Sequence, residues 1–223
     1  MKIDFHIHTY HSYDSRMKPE KILKVAKARG LDGIVVCDHD TIKGGKETYL
    51  VNKDKDFMVI IGAEIATNAG DITGLYLTRE IRERKFSKVA EEIKAQGGKI
   101  ILNHPYKGHD LTKIDFSKID FIEGYNSRLN EEDNSLALEL AKKHNIPVLA
   151  GSDAHVYAEI GNCFSEITEF DKLIASKHTY TSSNKINVTL SQYIKAFKQR
   201  KFSVFYSATA VQIKHTFKRI ISR

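Results

Sequence analysis

Five short apolar runs in this chain each stop at a histidine or an acid, and helix-like stretches lie among them. Residues 2–6 lead into His6 and His8, residues 33–37 into Asp38-His39-Asp40, and residues 57–63 into Glu64. Residues 99–102 lead into Asn103-His104, and residues 146–150 into Gly151-Ser152-Asp153-Ala154-His155. A further run, 119–122, stops at Glu123, with Asn126 and Arg128 just beyond it. Helices are predicted over 19–29, with Pro19 near the first turn and Gly30 past the end, and over 45–52, 86–96 and 131–144. Strands alternating with helices predict an α/β fold with a parallel sheet. In such folds functional groups gather at the carboxyl ends of the strands, where the loops ring one crevice. Scattered surface histidines have no reason to choose that position five times.

The residue types point to a metal site. His6 and His8 stand at i and i+2, so on an extended strand both imidazoles share a face, and Asp4 falls on the same face. Asp153 and His155 repeat that spacing. Neutral imidazole suits zinc, iron or manganese. Taken alone, a His-x-His pair is more readily two surface histidines on an edge strand; its recurrence at strand ends is what argues for ligation. Asp38 and Asp40 flank His39 and read as outer partners or caps. Arg128 offers a planar fork suited to phosphate, or else a solvated helix-start cation. Lys107 and His109 read as exposed loop residues, and His11, His144, His178 and His215 receive no metal role. Asn68-Ala69-Gly70 signals a turn, with 71–78 as a returning strand.

Length limits the architecture. The chain has 223 residues, and the regular pattern fades near residue 170. An eight-fold β/α barrel typically needs about 250, so a reduced, seven-stranded barrel over 1–170 fits better, with 171–223 as an extension. That extension carries 11 Lys/Arg and one acid, a net of +10, whereas residues 1–170 net −3. Basic, mostly helical segments are predicted at 190–201 and 208–221. They suit packing on the barrel, a polyanion or an anionic membrane surface. No apolar run approaches the roughly 18 residues of a membrane helix. Cys37 and Cys163 form no disulfide framework, and no secretory leader precedes the first ligands, so a cytoplasmic location is expected.

Asp4-x-His6-x-His8-Thr9 with Ser12 and Asp14, Asp38-His39-Asp40-Thr41, Glu64, His104-Pro105 and Gly151-Ser152-Asp153-Ala154-His155 together resemble the polymerase and histidinol phosphatase (PHP) family over residues 1–170. The resemblance implies a distorted, TIM-like β/α barrel of seven strands and a phosphoesterase with two or three divalent metals, manganese, iron or zinc. It implies one metal on His6, His8, Glu64 and Asp153, a second shared through Glu64 with His104, and a third on Asp14, His39 and His155. Asp153, His155 and His39 are the implied catalytic residues, with Arg128 and Asn126 binding substrate. Many relatives place a histidine shortly after the bridging glutamate; Asp71 stands in that region here and is a candidate ligand. The implied reaction is hydrolysis of a phosphorylated small molecule or nucleotide by hydroxide from metal-bound water. Oligonucleotide end-processing by a phosphodiesterase is the second reading, and a non-catalytic, metal-stabilised binding module the third.

Overall fold

The structure, a computed structural model, describes residues 1–200. The helix predicted over 208–221 lies outside the described residues. Among the described residues a single sheet contains nine strands, two more than the seven expected, and five α-helices accompany it. The strands are β1 (Lys2–Ile7), β2 (Gly33–Val36), β3 (Met58–Thr67), β4 (Gly70–Leu75), β5 (Lys99–Leu102), β6 (Phe121–Asn126), β7 (Val148–Gly151), β8 (Cys163–Glu169) and β9 (Ile174–Tyr180). The helices are α1 (Pro19–Ala28), α2 (Lys43–Val51), α3 (Phe86–Lys94), α4 (Glu131–His144) and α5 (Lys185–Lys198).

Across the sheet the order is β7-β6-β5-β4-β3-β2-β1-β8-β9. It is not uniformly parallel. β4 runs antiparallel to both β3 and β5, because the turn at Asn68–Gly70 is too short for a crossover. β1 is shared between two neighbours. Its start, Lys2 and Ile3, pairs with antiparallel β8, while its end meets the segment after β7. There the His8 N–H donates to the Ala154 carbonyl at 3.0 Å and the Ala154 N–H to the His6 carbonyl at 3.1 Å. That seam almost closes β1–β7 into a barrel, with the β8–β9 hairpin added outside the ring. β9 falls within the segment predicted to be mostly helical; its sequence is largely polar and half-exposed, which gave no apolar alternation to read.

Local chemistry accounts for the helices. α1 starts at Pro19 and buries Ile22, Leu23 and Ala26. Asn130 caps α4, its side chain accepting from the Asp133 N–H at 2.7 Å, a contact worth about 1 kcal/mol. Acids fill the first turn of α4 and Lys142, Lys143 and His144 its last, matching the helix dipole. The barrel interior holds Ile3, Phe5, Val35, Cys37, Ile60, Leu75, Ile101, Phe121 and Leu149. Outside the sheet, one apolar layer forms around α3 and α4 and another around α1. No described helix is long and apolar enough to cross a membrane.

Two irregular strands set the site. In β1, Asp4 pairs with Ile34 and Ile7 with Val36, so three steps face two. This bulge breaks strict alternation. Ile3 and Phe5 point into the barrel, Ile7 packs toward α1, and His6 and His8 turn to the crevice. Asp4 therefore does not share their face, contrary to the plain i, i+2 expectation. Its carboxylate instead accepts from the N–H groups of Ser152 and Gly161, both at 2.9 Å, and burial pushes it up to about 6. In β6 a similar shift between Glu123 and Tyr125 lets both Glu123 and Asn126 face the site.

Candidate metal centre

His6 and His8 leave β1 with their Nε2 atoms 3.1 Å apart. His39 follows β2, Glu64 lies in β3, Asp71 in β4, and His104 follows β5. Asp153 and His155 follow β7, and Asp14 comes from the loop after β1. Backbone strain helps aim three residues here: His104, Asp153 and Asp40 have φ of 24°, 53° and 58°, in the left-handed region that non-glycine residues rarely adopt.

Glu64 is central. Its Oε2 lies 3.4 Å from both His6 Nε2 and His8 Nε2 and 3.1 Å from His39 Nδ1, and its Oε1 lies 3.0 Å from His104 Nε2. Asp153 Oδ1 lies 3.6, 3.4 and 3.4 Å from nitrogens of His6, His8 and His155. Asp14 Oδ2 is 3.2 Å from the Nε2 atoms of both His39 and His155. Three sets of converging ligand atoms result: His8, Asp14, His39 and His155; His6, His8 and Glu64; and Glu64, Asp71 and His104. His8 joins the first set to the second, and Glu64 the second to the third. Every residue predicted as a ligand is thus brought to one crevice.

The electrostatics follow from so many groups under little solvent. Burial opposes the charge on Glu64, Asp14 and Asp153, yet facing imidazoles hold all three carboxyls well below the usual range. The imidazoles divide. Burial, with His155 and His39 alongside, drives His8 down to about 3. His39 is lifted to about 9 against burial by Glu64 and Asp14. Asp14 Oδ1 and Glu64 Oε2 are buried without a hydrogen-bond partner. Buried carboxylate oxygens left without donors, beside imidazole nitrogens, are what a divalent cation would satisfy, so the residues present fit such ions.

Outer contacts orient the ligands, and several involve residues with no role predicted from sequence. Glu123 Oε1 is 2.8 Å from His6 Nδ1, which leaves Nε2 for the crevice. Ser12 Oγ is 3.0 Å from His8 Nδ1 and donates to Asp38 at 2.7 Å; Asp38 also accepts from Thr9. Asp40 accepts from the Ala66 N–H and pairs with Arg84, which ties the end of β2 to β3. Asn103 donates to Glu64 at 3.1 Å. Glu159 accepts from the His155 N–H at 2.9 Å. One sequence signal could have exposed Glu123: it ends an apolar run exactly as Glu64 does.

The side chains of the two residues expected to bind substrate both lie inside the protein. Asn126 is fully buried; its amide donates to Glu123 and Asp153 and its oxygen accepts from the Arg128 N–H. Arg128 has a side chain only 5% exposed, with its fork already occupied. Nη1 lies 2.6 Å from His155 Nδ1, Nε is 3.4 Å from Glu159, and Nη2 donates to Ser191 Oγ. His109 is not an exposed loop residue either. Its Nε2 donates to the Asp71 carbonyl at 2.9 Å, and its ring fills the space where a Cβ at Gly70 would sit. Gly70, with φ of 117°, is required there. His11, His144 and His178 lie outside the three ligand sets: His11 pairs with Glu47, His144 stacks on Phe116 and His178 meets Ser165.

Comparison with known proteins follows the geometry. A family model described as PHP-associated matches residues 131–176. The uncharacterized protein MJ1587 of Methanocaldococcus jannaschii is 37% identical over 142 residues, 56% of this chain and 83% of its own length. A 5'-3' exoribonuclease of Haemophilus influenzae is 37% identical over 67 residues, 30% of this chain and 24% of that enzyme. A candidate metal-dependent phosphoesterase from Bifidobacterium adolescentis superposes with a TM-score of 0.61 at 15% identity, covering 76% of this chain and 93% of that one. An amidohydrolase from Chromobacterium violaceum, with bound sulfate and no metal, gives 0.60 at 15% identity, covering 74% and 92%. The two structures share the fold.

Proposed function

Because this chain belongs to the polymerase and histidinol phosphatase (PHP) family, we propose that it hydrolyses phosphate esters with two or three divalent cations, manganese, iron or zinc. The observation that carries this reading is the linked arrangement of three ligand sets, with buried oxygens of Asp14 and Glu64 that no donor meets. Cations bound there would lower the pKa of water toward neutrality and offset charge on a phosphoryl group. His6, His8, Glu64 and Asp153 would hold one; Glu64, Asp71 and His104 a second; and Asp14, His39 and His155, with His8, a third. Glu123 and Ser12 fix the rings of His6 and His8 from behind. Asp71 gives the second set another hard oxygen where the family resemblance leads one to look for imidazole, which favours manganese or iron over zinc. Asp153, His155 and His39 retain the catalytic assignment that the resemblance implies. Arg128 and Asn126 serve as positioning residues, since both side chains are buried, Asn126 is bonded to Glu123 and Asp153, and both terminal nitrogens of Arg128 are engaged by His155 and Ser191.

A phosphorylated small molecule or nucleotide is the proposed substrate. The 67-residue similarity to an exoribonuclease supports the second reading, an oligonucleotide phosphodiesterase. The two separate in one assay. Purified protein supplied with manganese, iron or zinc is offered p-nitrophenyl phosphate, bis-p-nitrophenyl phosphate and a short oligonucleotide. Preference for the monoester supports a phosphatase, and release of mononucleotides the second reading. Stoichiometric metal binding without turnover of any of them would favour the non-catalytic module.

A further inference from the structure

Among the described residues, three side chains of helix α5 reach the neighbours of one ligand set, Asp14, His39 and His155. Ser191, Lys195 and Lys198 stand at i, i+4 and i+7, so one face of the helix carries all three. Each is tied to a different ligand. Lys198 Nζ donates to the carbonyl oxygens of Tyr10, Ser12 and Ser15 at 2.6, 2.7 and 2.8 Å, clasping the loop that carries Asp14. Lys195 Nζ sits 4.8 Å from the centroid of the Tyr13 ring, which stacks on His39 at 4.4 Å and 5°. Ser191 Oγ accepts from Arg128, whose other terminal nitrogen lies against His155. The orienting contacts described above for His6, Glu64, His104 and Asp153 come from the barrel, through Glu123, Asn103 and Asn126.

We propose that α5 is a strap that positions the ligand set Asp14, His39 and His155, reaches the second set only through their shared His8, and leaves the set Glu64, Asp71 and His104 to the barrel. The inference rests on reading the crevice as a metal centre. Its physical basis is the loop of Asp14. Residues 10–15 form no regular element, and three charge-assisted hydrogen bonds from one ammonium hold them. Without that ammonium the carbonyls are free to turn to water, and Asp14 loses its fixed position. A cation held by that set would weaken by about the 10–100-fold typical of lost outer contacts.

The test is titration of the full chain, cleared of metal, with manganese alone, followed by calorimetry and metal analysis. Lys198→Met should weaken one class of manganese site about 10–100-fold and leave at least one other class unchanged. Lys198→Arg, which can still donate to the carbonyls, should restore part of the loss. Lys195→Met, acting through Tyr13 and His39, should weaken the same class by less, and it tests the strap if Lys198→Met does not fold. Equal weakening of every class, or unchanged binding in the folded variants, would overturn the strap. If the wild-type chain binds no manganese, the metal-centre reading itself fails. That result differs from failure of the strap alone, in which the wild type binds normally.

Discussion

Glu123 faces His6 from outside the ligand sets, 2.8 Å from Nδ1, while the Nε2 of the same ring looks toward Glu64 and Asp153. A carboxylate behind a ligand imidazole fixes its tautomer and raises its basicity. Glu123→Gln keeps an acceptor but removes the charge, so turnover and metal affinity should fall about 10–100-fold with little change in melting temperature. Parallel assays and thermal scans of the variant check this. His6, His8, His39, Glu64, His104, Asp153 and His155 were legible because they close apolar runs, a position fixed by strand polarity, whereas Asp14 in a loop and Asp71 near the start of β4 came only from the family resemblance. Their supports were harder to see. Asn126 looks like a strand-end polar group free to meet substrate, and only the β6 bulge turns it back onto Glu123 and Asp153. Arg128 carries the right chemistry for phosphate, but its fork is occupied by His155, Glu159 and Ser191, one of which lies 63 residues away.

At the scale of elements, periodicity found those that bury an apolar stripe. α4 lies at Glu131–His144 as predicted, and the turn before β4 was marked by Asn68-Ala69-Gly70. The β1 bulge left no mark in the sequence, since a strict two-residue period would place Asp4 beside His6 and His8. β9 was missed because it buries little. One of its residues yields a pH test. His178 is half-buried beside Ser165, and burial lowers its pKa below the ordinary 6.5. The folded ring resists a proton that the unfolded chain accepts. Its contribution to stability is therefore present above pH 6.5 and erodes as the pH falls below that value. His178→Gln should lose less melting temperature between pH 7 and pH 5 than the wild type does; an equal loss would show that this ring does not titrate differently on folding.

For the whole molecule, length led to the expectation of seven strands, and the nearly closed sheet has nine among the described residues because the β8–β9 hairpin adds to it. In the outer hairpin β8 answers to the short strand that the sequence predicts around 164–168, whereas β9, which buries little, was not read. The basic charge after residue 170 pointed toward partners, yet α5 sets Ser191, Lys195 and Lys198 against Arg128, the Tyr13 ring and the carbonyls of the loop that carries Asp14. The central claim is that this crevice hydrolyses phosphate esters through bound divalent cations. Its most direct test is p-nitrophenyl phosphate and diester turnover before chelation, after chelation and after manganese is returned, with His8→Ala beside the wild type. His8 belongs to two of the three ligand sets. The account predicts that chelation abolishes turnover, that manganese restores it, and that His8→Ala loses both bound metal and at least about 100-fold in rate. Turnover that survives chelation, or a His8→Ala protein with unchanged rate and metal content, would contradict it.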